Sequence, residues 1–166
     1  EMDSVGQVVL DSFAQALDQM LSMRAAEGDR LKDMLLQRCD AIAAILLQVR
    51  ENRPQVIEAI REKLNQRLQE LTEKPDMDRL EQELVFQAQR LDVDEELDRL
   101  QSHLTEVRDV LSRDEPIGRR LDFLMQELNR EANTLASKSA DTETTRAAVE
   151  LKVLIEQMRE QIQNIE

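Results

Sequence analysis

The chain has 166 residues and carries 22 Lys and Arg against 35 Asp and Glu, a net charge of −13. Aromatic residues make up 2% of it, with no Trp or Tyr, so it offers no platform for stacking bases. This composition favours long helices over sheets, and the acidity repels a polyphosphate unless a local basic surface answers it.

In chain order, Val5 to Arg50 has the period of one long helix. Its apolar face runs through Val9, Phe13, Leu17, Met20 and Leu21 and resumes at Leu31, Leu35, Ile42, Ile45, Leu46 and Val49. Gly28 interrupts the pattern, either as a kink or close helix contact or as a tolerated exposed glycine. Cys39, the only cysteine, is expected to pack as a small apolar residue, and a single thiol fits a reducing cytoplasm. Asn52-Arg53-Pro54 reads as the end of one helix and the start of another, because proline suits a first turn. The second helix follows Val56, Ile57, Ile60, Leu64, Leu68 and Leu71, and the short connection predicts an antiparallel hairpin.

Lys74-Pro75-Asp76 is the clearest boundary, followed by a helix from Arg79 to about Arg90. Asp92-x-x-Glu95 has the form of a capping box opening a helix over Asp94–Ser112. Its core stripe is Leu97, Leu100, Leu104, Val107 and Leu111, with Glu96, Arg99 and His103 alongside. A loop at 113–118 leads to the helix Gly118–Lys138, with its stripe at Leu121, Leu124, Met125, Leu128, Ala132, Leu135 and Ala136. Asp141-Thr142-Glu143 starts the last helix, whose expected face is Val149, Leu151, Leu154, Ile155, Met158, Ile162 and Ile165. Phe13, Phe86 and Phe123 are expected in the core. No run reaches membrane-spanning length, and no nucleotide-binding fingerprint occurs.

The 118–138 helix is unusual on both sides of its stripe. Asp122, Gln126, Asn129, Asn133 and Ser137 line one flank, although Asn, Ser and Asp are mediocre helix formers. Glu127 and Glu131 lie four apart on the other, where like charges repel unless a cation intervenes. One reading makes this pair ligands for Mg²⁺ or Mn²⁺, with Asp122 and Glu96 in reserve. The other pairs Glu127 with Arg130 or Arg120, and Glu131 with a neighbouring helix. His103, the only histidine, is either a hydrogen-bonded structural residue or a ligand and proton carrier. Arg119 and Arg120 open the helix, where a fork of donors and the helix terminus suit phosphate. Arg99, Arg130 and Lys138 are secondary phosphate contacts. Residues 113–138 hold five basic and five acidic groups, so this stretch is neutral within an acidic chain.

The segment from Gly118 to Lys138, the run Arg90-Leu91-Asp92-Val93-Asp94-Glu95-Glu96-Leu97-Asp98-Arg99-Leu100-Gln101-Ser102-His103-Leu104, and the end from Leu151-Lys152 through Glu156 to Glu166 together resemble the YicC-like endoribonuclease family. The likeness runs from about Leu80 to the last residue and continues more weakly upstream through Glu27-Gly28. It implies a metal-dependent endoribonuclease acting on RNA, not DNA, as a homo-oligomer that is hexameric when full length. It also implies an N-terminal α/β domain for which nothing here has a counterpart; with Glu1 in first place, the expectation is a fragment that is inactive alone.

The combined expectation is an all-α chain: a long helical hairpin arm over 1–74, followed by a C-terminal helical bundle over 75–166. Catalysis would fall to His103, Glu127, Glu131 and Asp122, and metal binding to Glu127, Glu131, His103 and Glu96. Arg99, Arg119, Arg120, Arg130 and Lys138 would meet RNA, in the cytoplasm and away from membranes. The competing expectation is a non-catalytic helical scaffold or oligomerisation module, supported by the acidity and the long apolar stripes.

Overall fold

The computed structural model describes residues 2–69 and 92–163. The described chain is all-α, in four helices: α1 Met2–Gln69, α2 Asp94–Val110, α3 Gly118–Lys138 and α4 Thr142–Ile162. The expected boundary at Lys74-Pro75-Asp76 and the helix Arg79–Arg90 lie outside the described residues, as do Phe86 and Ile165.

Ion pairs reveal how the helices run. Asp40 on α1 pairs with Arg108 near the end of α2, at 2.7 Å, while Arg50 pairs with Asp98 near its start, at 2.6 Å. Arg53 reaches Asp92 and Asp94 just beyond. These two helices are therefore antiparallel. Arg120 with Glu106, and Lys138 with Glu96, set α3 antiparallel to α2 in the same way. The Ser139–Asp141 turn and the approach of Arg159 to Asp122 return α4 along α3. With α1 also packed on α4, each helix touches two neighbours and the result is an up-down-up-down four-helix bundle.

The core follows from helical spacing. Leu35, Cys39, Ile42, Leu46 and Val49 of α1 meet Leu97, Leu100, Leu104 and Val107 of α2, with the stripe of α3 and Ala148, Leu151, Ile155, Met158 and Ile162 of α4. α3 has the bounds expected from sequence. Asp141 caps α4 by accepting from the Thr144 amide at 2.8 Å. At α2 the expected box does not form: the N-cap is Val93, without a side-chain cap, Asp92 accepts from the Asp94 amide at 3.0 Å in a local turn, and Glu95 turns to Arg99. Phe13, Phe123 and Val149 are exposed, not core.

The expected hairpin at Asn52-Arg53-Pro54 does not form. Pro54 lies inside α1, which continues to Gln69 without turning back. A proline inside a helix forfeits one hydrogen bond at a cost of about 3 kcal/mol. Packing on both sides offsets it: Val49 is buried ahead of it, Arg53 is held by two aspartates, and Val56 and Ile60 carry the half-buried face onward in register. The bundle thus takes its first wall from about residues 31–56, within the segment read as arm. Residues 5–30 are exposed throughout, an extension of roughly 40 Å at 1.5 Å per residue. Gly28 sits there, and a Cβ at that position would meet nothing within 4 Å, so it makes no close helix contact.

Two expectations follow from this packing. Leu128→Ala, in the fully buried stripe of α3, should lower unfolding stability by about 2–5 kcal/mol in urea, whereas Phe13→Ala should change it by less than about 0.5 kcal/mol. Burial pushes the Cys39 thiol up to about 11, only partly offset by Arg108. Because the folded value exceeds the ordinary thiol value of 9.0, the buried thiol contributes stability that is complete below the unfolded value and is lost between roughly pH 9 and 11. Urea midpoints measured across that window should fall less steeply for Cys39→Ala than for the parent chain.

Candidate metal centre on the seam between α2 and α3

Antiparallel pairing of α2 and α3 lines up two polar rows. Along α2, Glu96, Arg99 and His103 flank the apolar stripe. Along α3, Glu127, Glu131 and Lys138 run the opposite way. Glu131 belongs to the stripe itself: Leu124, Leu128, Glu131 and Leu135 follow the 4–3–4 spacing of core positions, and Glu131 is only 4% exposed.

At the middle of the seam His103, Glu127 and Glu131 converge. Each offers one ligand atom, and these atoms all lie within 4.8 Å of one another. His103 and Glu127 are half-buried, so the group opens to solvent on one side and is closed by the core on the other. An imidazole and two carboxylates form a donor set suited to a divalent first-row ion.

Arginine supplies charge at the edge of the group. Arg99 Nη1 donates to Glu131 Oε1 at 3.4 Å, while Nη2 donates to Glu95 Oε1 at 2.5 Å. Glu95, and then Glu131, hold the Arg99 guanidinium even more firmly charged than usual. Arg130 stands 4.0 Å from Glu127. One end of the seam is closed differently. Lys138 Nζ donates to Glu96 Oε1 at 2.9 Å and to the Asp92 carbonyl at 3.1 Å, and the other Glu96 oxygen is buried without a partner among the described residues.

Of the residues singled out from sequence, the structure brings together His103, Glu127 and Glu131. Glu96 does not join them: its carboxylate is bound to Lys138 near the first turn of α2. Asp122 is on the flank facing α4, where it accepts from Gln126 at 2.8 Å and lies 4.0 Å from Arg159. The expected phosphate contacts also divide. Arg99 and Lys138 are engaged inside the seam, and Arg120 is paired with Glu106 and lies 5.2 Å over the Phe123 ring. Arg119 and Arg130 are exposed. The ion-pair alternative is present in part, in Glu127 with Arg130 and Glu131 with Arg99. Glu95 was legible in the sequence only as part of a capping box; its spacing of four from Arg99 was the available signal for the ion pair.

Facing helices of a bundle are a common frame for metal and cofactor sites built from inward-pointing side chains, and the class defined here is a four-helix-bundle domain with a candidate site of that kind. Comparison with known proteins narrows it. The description Endoribonuclease YicC-like, C-terminal, matches residues 49–166, and the chain belongs to this family. A protein of Haemophilus influenzae named "Probable endoribonuclease YicC" is 50% identical over 166 residues, covering 100% of this chain and 58% of its own length. One of the same name from Clostridioides difficile is 38% identical over 167 residues, covering 99% of this chain and 57% of its own length. The chain therefore spans somewhat more than half the length of these relatives.

The Glu96–Lys138 pair yields a test of its own. Lys138→Met should strand a buried carboxylate and lower stability by about 1–3 kcal/mol, and adding Glu96→Gln should recover part of the loss. Thermal melts of the two single variants and the double variant measure that coupling.

Proposed function

We propose that this chain is the helical part of an endoribonuclease that cleaves RNA with a divalent ion, Mg²⁺ or Mn²⁺, held by His103, Glu127 and Glu131. The observation that carries the reading is the convergence of those three side chains, one of them buried in the core stripe. The family and the names of the two relatives supply the reaction class. A divalent ion held there would supply stabilisation of the negative charge developing on a phosphoryl group. Glu131, walled in by the core, fixes one ligand position, and Glu127 offers a second from the solvent side. His103 either completes the set or carries a proton near neutral pH. Its nitrogen tilts the set toward Mn²⁺, since Mg²⁺ strongly prefers oxygen. Arg119, Arg120 and Arg130 are the forks that would meet RNA phosphates. Asp122, on the far flank, has no part in this reading.

In the full-length protein, Glu127→Gln and Glu131→Gln should each reduce metal-dependent cleavage of structured RNA at least about a hundredfold, roughly 3 kcal/mol of lost charge stabilisation. Parent rates in both variants, with folding intact by circular dichroism, would reduce the pair to structural carboxylates. The present chain alone, with a net charge of −13, should bind the same RNA weakly and with a shallow dependence on salt.

A second reading, oligomerisation through α1, is favoured by one observation: Val5, Val9, Phe13, Leu17, Met20 and Leu21 are all exposed on the extension. Apolar surface of that extent marks an interface, and we read it as a homo-oligomer contact within a hexamer of the full-length protein. Light scattering at micromolar concentration should show self-association of this chain, with Phe13→Glu shifting it toward monomer.

A further inference from the structure

Glu131 is a buried carboxylate whose single ion-pair partner, among the described residues, is Arg99. The two differ sharply in surroundings: the Glu131 side chain is 5% exposed and that of Arg99 is 50% exposed. The contact is also the looser of the two that Arg99 makes, 3.4 Å against 2.5 Å to Glu95. An arginine anchored on one carboxylate and leaning on another can give up the second while keeping the first. Glu131 cannot stand unpartnered, because a buried charge without a counter-charge is strongly disfavoured.

We propose that Arg99 is the resident counter-cation of this seam: it partners Glu131 while no divalent ion is bound, and yields it, falling back on Glu95, when one arrives. This rests on the metal-centre reading above. Two carboxylates and an imidazole can balance a divalent ion, and a second cation against Glu131 is then surplus. Arg99 and the ion therefore compete for Glu131. Falling back on Glu95 leaves Nη1 at the solvent edge of the site, free to donate to an anion such as a phosphate oxygen. Arg99 is thus a positioning residue that governs when the site accepts metal.

The test is calorimetric titration of this chain with MnCl₂, free of RNA, for the parent, Arg99→Met, Glu95→Gln, Glu131→Gln and the Arg99→Met/Glu95→Gln double variant. Methionine retains much of the stem and removes the charge. Arg99→Met should bind Mn²⁺ about five- to tenfold tighter than the parent, in the usual range for coupling between two bound species. Glu95→Gln should bind it more weakly, because Arg99 then has only Glu131 to lean on. In the double variant the Glu95 effect should vanish, which separates action through Arg99 from a simple loss of nearby negative charge. Metal-free Arg99→Met should also melt below the parent and regain the difference on adding Mn²⁺, which checks folding independently.

If the parent and Arg99→Met both bind no Mn²⁺, or if Glu131→Gln binds as well as the parent, the metal-centre reading falls and this proposal with it. If the parent binds and Glu131→Gln does not, yet Arg99→Met binds no tighter, the role of Arg99 alone is overturned. A Glu95 effect of equal size in both backgrounds likewise overturns the fallback.

Discussion

A carboxylate set into the middle of an apolar stripe has to be given a cation, and much of the seam's organisation answers that requirement. Glu131 takes a place between Leu128 and Leu135 where a hydrophobic side chain would serve the core better. The antiparallel register of α2 and α3 then brings Arg99 and His103 to face it. One end of the seam repeats the logic with Glu96 and Lys138. Shifting the register by one turn would take Arg99 away from Glu131 and Lys138 away from Glu96. The polar row therefore specifies the pairing of the helices as well as furnishing a site.

How far the sequence alone reaches depends on which interaction decides. The bounds of Gly118–Lys138 were legible because a full apolar stripe begins after the Asp114-Glu115-Pro116 loop and runs to Ala136. The stripe of α2 was legible for the same reason. The convergence of His103 with Glu127 and Glu131 was suggested by residue type and family likeness, but their meeting depends on how two helices slide past each other, and no local pattern encodes that. Asp122 and Glu96 looked like equal candidates as acids near a stripe. Their separation comes from which flank faces α4 and which faces α2, again a matter of tertiary packing.

Pro54 is the instructive miss. Locally, Asn-Arg-Pro is a sound signal for a helix start, and a hairpin was the economical inference from it. What overrides it is burial extending across the break: the apolar spacing from Leu35 to Val49 resumes at Val56 and Ile60 without a change of phase, and Arg53 is pinned by two aspartates. The local preference of Asn-Arg-Pro for a helix start is small beside the core on one side and the ion pairs on the other. Val149 and Phe123 show the converse, since each sits on a helix whose buried face lies a fraction of a turn away.

The uninterrupted course of α1 has a mechanical meaning. One helix serves both as a wall of the bundle and as an extension of roughly 40 Å beyond it. With no joint between the two, the extension behaves as a lever with its fulcrum at the core contacts of Leu35 and Cys39. A tilt of about 10° at the fulcrum would sweep the far tip through about 7 Å, taking the lever length from the helical rise. Asp40, one residue past the fulcrum, is tied to Arg108 near the end of α2 that leads into α3. A small rotation at the core end of α1 is thus exchanged for a large displacement at its tip.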